Sequence, residues 1–126
     1  MNETTTCTVI KGNITYTSTL NGLRPLMHWL LNDPEVLKDS YVIDKVVGKA
    51  SAMLLTYGGA KKIHGITMSK AADQFLTERG IEHSYDILVD YIINNDGTDM
   101  CPMEKRVVNI TEPEQAFETF KPIFQK

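Results

Sequence analysis

The sequence predicts an α/β fold, a three-layer α/β/α sandwich around a mixed five-stranded sheet, formed by one domain over residues 1–126. Three observations predict it. Short stretches rich in β-branched residues take turns with stretches whose apolar residues recur at helical spacing. From residue 41 to residue 89 the two kinds alternate, which is the order of parallel strands joined by crossover helices. Before that series the pair Gly12-Asn13 turns an alternating stretch back on itself, so part of the sheet is antiparallel.

Each element follows from its own residues. "CTVIKGNITYTST" splits at Gly12 into two strands, with Ile14 and Tyr16 on one side of the second. "GLRPLMHWLLND" changes period: Leu23, Leu26, Met27, Leu30 and Leu31 form a helical stripe, Pro25 suits the first turn, and Asn32-Asp33-Pro34 ends it. "SYVIDKVV" is a strand whose run Tyr41-Val42-Ile43 suits burial on both faces. "GKASAMLLTYGGA" is a helix that buries Ala50, Met53, Leu54 and Tyr57 and stops at Gly58-Gly59.

"KKIHGIT" is the next strand, and Ser69 is a good N-cap for "KAADQFLTERG", with Ala72, Phe75 and Leu76 inward. "IEHSYDILV" alternates Ile81, His83, Tyr85 and Ile87 and makes a fifth strand. Thr111-x-x-Glu114 reads as a capping box ahead of "EQAFETFKPIF", where Ala116, Phe117 and Phe120 form the stripe. Two consecutive right-handed crossovers would make the central portion mostly parallel with the hairpin antiparallel beside it, and helices are expected on both faces of the sheet.

Composition narrows the function. Thirteen basic against sixteen acidic residues give a net charge of −3, without the basic surplus of a general nucleic-acid binder. No apolar run approaches the roughly 20 residues of a membrane helix. "MNETTTC" has neither the basic nor the apolar region of a signal peptide. Cys7 and Cys101 lack zinc-finger or paired-thiol spacing, so the expectation is a cytoplasmic chain with reduced thiols. His28, His64 and His83 are scattered without metal-ligand spacing, and no metal or cofactor is expected.

In parallel sheets, ligands sit outside the carboxyl ends of the strands, where helix starts offer free N–H groups and partial positive charge. Two such junctions stand out: Asp44, Lys45, Gly48 and Lys49, and the turn around Ser69. Together they predict an anion-friendly recess, with the lysines meeting negative charge and Gly48 allowing close approach. This is no phosphate loop, because Ala50 follows Lys49 where Ser or Thr is required. A second cluster, Asn94, Asn95 and Asp96, offers many polar atoms in a turn, and Cys101 precedes Pro102 at the start of a short helical turn.

"GLRPL", "DKVVGKASAMLL" and "YIINNDGTDMCPME" resemble the signature stretches of a small prokaryotic family of unknown function with a cytidine deaminase-like fold. The resemblance covers roughly residues 8–104. Deaminases of that superfamily hold zinc with a His or Cys at one helix start and Pro-Cys-x-x-Cys at the next, with a Glu as proton shuttle. Matched by position, those motifs fall near Asp44–Lys49 and Thr67–Ala71, which contain no His, Cys or Glu. The resemblance therefore implies the location of a pocket and not zinc-dependent deamination.

The leading expectation is a zinc-free deaminase-like domain that binds a small anionic or nucleotide-like ligand through Asp44, Lys45, Gly48, Lys49, Ser69 and Asn94–Asp96. A second is an enzyme for group transfer or hydrolysis in which Cys101 is the nucleophile and Asp44 or Asp96 accepts its proton. A third is a non-catalytic interaction domain, such as a homodimer, that uses a sheet edge or the C-terminal helix.

Overall fold

The computed structural model describes residues 4–94 and 96–125. Strands β1 (Cys7–Lys11) and β2 (Ile14–Ser18) form the expected hairpin, and Gly12 in the turn has a φ of 60°, a conformation that side-chain-bearing residues resist. Helix α1 (Arg24–Asn32) follows, then a 3-10 turn (Pro34–Val36), β3 (Tyr41–Val47), α2 (Lys49–Gly58), β4 (Lys62–Ser69), α3 (Lys70–Glu78) and β5 (Glu82–Val89). A short helix α4 (Pro102–Arg106) and a longer α5 (Pro113–Phe124) complete the chain. The sheet order is β2-β1-β3-β4-β5; β1 is antiparallel to both neighbours, and β3, β4 and β5 run parallel. The mixed five-stranded sheet is as expected.

The layering differs from the expected α/β/α sandwich. Alternate residues Cys7, Val9, Val42 and Ile63 are fully buried and meet the helices. Their neighbours Thr8, Ile10, Tyr41, Ile43 and His64 are half-exposed, and Val46 and Ile87 are 42% and 55% exposed. Helices α1, α3 and α5 all pack on α2. Six consecutive residues of α2, Ala50 to Leu55, are buried, as befits a helix with the sheet on one side and α5 on the other. The layers are therefore sheet, then α1, α2 and α3, then α5. The run Tyr41-Val42-Ile43 suggested two covered faces, but half-exposed side chains on an open sheet face shelter one another well enough.

Two local corrections have the same origin in tertiary packing. Tyr57, expected in the core, is 43% exposed and stacks on Phe117 with ring centroids 4.7 Å apart. The Thr111–Glu114 capping box does not form: α5 begins at Pro113 with Glu112 as an N-cap that makes no side-chain capping bond, its carboxylate and the Thr111 carbonyl accepting instead from Arg79 at 2.7 and 2.8 Å. The α5 stripe itself holds, with Ala116, Phe117 and Phe120 buried against α1 and α2.

Candidate functional site

Because β1 lies beside β3, the start of α1 comes close to the start of α2, and a recess of about 150 Å³ opens between them. One wall is Thr6 with Asn21, Gly22 and Leu23 at the entry to α1. Asp44, Lys45 and Val46 of β3 line it next, followed by Gly48, the N-cap of α2, and Ser51 of that helix. The remaining wall comes from Ile92, Cys101, Met103 and Glu104.

Asp44 belongs to β3 itself, paired with Cys7 on one side and Gly65 on the other, not to the turn after the strand. It is only 6% exposed. Burial drives its pKa up to about 7, against the backbone amides of Lys45 and Val46, which favour the charged form. None of the ion pairs among the described residues involves it. Burial and the neighbouring Asp44 charge also push the Cys7 thiol up, so Cys7 is an inert core thiol.

Glu104 occupies the place where the sequence suggested a ligand anion. Its carboxylate accepts from the Ala50 N–H at the start of α2, at 3.2 Å to Oε2 and 3.4 Å to Oε1. Gly48 makes this approach possible, since a Cβ there would lie 2.5 Å from the Glu104 Cδ. Burial raises the Glu104 pKa, opposed by the Ala50 and Lys49 amides and the Lys49 charge. The Lys49 ammonium itself donates to the Val108 carbonyl at 3.3 Å.

A second recess, of about 210 Å³, lies between the starts of α2 and α3, where Lys49 and Ser69 were expected to meet. Ser69 is there, but its hydroxyl is engaged as the α3 N-cap, accepting from the Ala72 N–H at 3.1 Å. Glu104 and Ile92 belong to the walls of both recesses. The expected shared anion site is thus two compartments with an internal carboxylate at their common boundary.

The segment after β5 closes over this rim. The Cys101 N–H donates to Ile92 O at 2.8 Å, and Ile93 and Met100 bridge antiparallel, which brings Cys101 to the recess. Asn94 faces back into its own loop, where its Oδ1 accepts from the Thr98 N–H at 3.1 Å, and Asp96 is exposed. Neither lines the recess, and Asn95 lies outside the described residues. Of the residues singled out from the sequence, Asp44, Lys45, Gly48 and Cys101 come together; Lys49 and Ser69 line the second compartment. Among the described residues no group of three or more His, Cys, Asp or Glu side chains is placed to hold a metal ion.

The profile of a family described as "Domain of unknown function (DUF1893)" matches residues 1–124. The chain belongs to the DUF1893 family. Its structure is similar to the crystal structure of a DUF1893 family protein (TM1506) from Thermotoga maritima, with 32% sequence identity and a TM-score of 0.87, covering 95% of this chain and 81% of that one. Comparison with curated proteins finds no match. Among the described residues of this DUF1893 chain, no helix is long and apolar enough to cross a membrane.

Sequence reasoning missed Thr6, Asn21, Ser51 and above all Glu104. One signal existed for Glu104: a glycine at the start of a helix leaves room that some other group must fill.

Proposed function

We propose that this domain binds a small nucleotide-like molecule with a single ring in the recess between the starts of α1 and α2. The ring lies inward, and the negatively charged part lies at the rim near the exposed Lys45. The observation that carries this reading is Asp44, a buried carboxyl that has no ion-pair partner among the described residues and lines an open recess. Such a group costs stability, and costs of this kind concentrate at functional sites. The size agrees, because a cavity of about 150 Å³ accommodates one six-membered ring. The cytidine deaminase-like strand arrangement and pocket position implied by the sequence resemblance belong to the same proposal; the sheet order and a recess beside the start of α2 support them.

A thermal-shift screen with pyrimidine nucleosides, their monophosphates and ADP-ribose tests the reading. A ligand at a hundred times its dissociation constant adds about 2.7 kcal/mol of stability. Asp44→Ala should abolish the response, and Lys45→Ala should weaken it for the phosphorylated members only. A flat response to every compound at millimolar concentration would refute the reading.

One observation favours a second reading: Cys101 and Asp44, the thiol nucleophile and proton acceptor considered from the sequence, line the same recess. Asp96, the other acceptor considered, is not part of that recess. Iodoacetamide labelling across a pH series separates a reactive thiolate, which labels well below pH 8.5 or so, from an ordinary thiol.

A further inference from the structure

A helix start normally attracts anions, yet here the protein has already supplied one. The Glu104 carboxylate is bound to the Ala50 N–H and seated in the space left by the missing Gly48 side chain. What this wall of the recess presents to an incoming molecule is therefore carboxylate lone pairs and negative charge. Asp44 adds a second carboxyl from the strand side. Of the two nearby ammonium groups, Lys45 is exposed at the lip and Lys49 is turned to the Val108 carbonyl.

We propose that Glu104 is the specificity-determining residue of this recess, admitting a ligand end that donates hydrogen bonds, neutral or cationic, and rejecting an anionic end. This rests on the recess being a ligand site and adds the polarity with which a ligand enters it. The expected anionic ligand is narrowed accordingly: its charge stays outside, and an amidine-like or amide N–H edge goes in. Ser51 can serve either polarity with its hydroxyl, and the Thr6 hydroxyl already donates to the Ser18 and Leu20 carbonyls, so the discrimination falls to the carboxylates.

Benzamidine, benzamide and benzoate share one ring and differ in the charge and donors of a single end group, which makes them suitable probes. Binding is followed at pH 8 by backbone amide shifts of Val46, Ser51 and Cys101, which also locate the probe. In the native protein benzamidine should bind at least about tenfold more tightly than benzoate, with benzamide between them. Glu104→Gln keeps an oxygen for the Ala50 N–H but removes the charge, and the preference should fall to about threefold or less. Gly48→Ala, which displaces the carboxylate without deleting it, should do the same and serves if the glutamine variant folds poorly.

Equal affinities in the native protein, or a preference unchanged in both variants, would overturn the role of Glu104 alone. Failure of all three probes to shift any of the named amides would instead overturn the recess as a ligand site.

Discussion

Replacing Gly48 with alanine tests the arrangement at the start of α2 most directly. The new Cβ would lie 2.5 Å from both Cδ and Oε1 of Glu104, so the carboxylate must move away. Two favourable interactions go with it. A hydrogen bond involving a charged group contributes about 1.5–3 kcal/mol, and a carboxylate at a helix start about 0.3–1 kcal/mol; partial exposure puts both at the low end. Against this, Gly48 has an extended backbone (φ −93°, ψ −178°) that alanine adopts freely, and restricting the unfolded chain returns about 0.4–1 kcal/mol.

The net loss is therefore about 0.8–1.4 kcal/mol, read from the urea midpoint at unchanged m-value. The decisive comparison is the same substitution in a Glu104→Ala background. There the obstacle is gone, and Gly48→Ala should be neutral or stabilising by up to about 1 kcal/mol. An equal loss in both backgrounds would show that Glu104 is not what fills the space at Gly48.

Three further outcomes are expected. Asp44 has a folded-state pKa of about 7, above its unfolded value, so its protonated form favours folding below the unfolded pKa, and that stability is lost as pH rises through 7. Asp44→Asn should thus gain on the native protein by at most about 1.4 kcal/mol per pH unit between roughly pH 4 and 7, and no further above, in denaturation at each pH. Phe120→Ala removes a fully buried ring from the outer helical layer and should cost about 3–5 kcal/mol; a loss below 1 kcal/mol would mean that α5 is not docked on α2. Ser69→Ala should cost about 1 kcal/mol through the α3 cap, with no change in ligand response at the first recess.

Local signals were legible in the sequence. Gly12-Asn13, Pro25, Gly58-Gly59 and Ser69 act over a few residues, and the structure uses each as its chemistry demands. What depends on distant packing was not legible. The run Tyr41-Val42-Ile43 has the same composition whether its second face meets a helix or water. Thr111 and Glu114 have capping-box spacing, but the helix starts at Pro113, between them. At the candidate site, Asp44, Lys45 and Gly48 follow from the strand-to-helix pattern, and Cys101 from its place before Pro102. Glu104 reaches Ala50 across 54 positions of chain, and no periodicity or motif carries such a contact.

The enclosure of α2 also bears on how a ligand would be received. A helix whose residues from Ala50 to Leu55 are all buried opens chiefly with the domain as a whole, which keeps the backbone beside the recess in one geometry on the timescale of ligand encounter. The groups it contributes to the recess are already in position before anything enters. Association then involves little loss of backbone freedom there, and affinity depends on fit with a rigid template rather than on induced rearrangement.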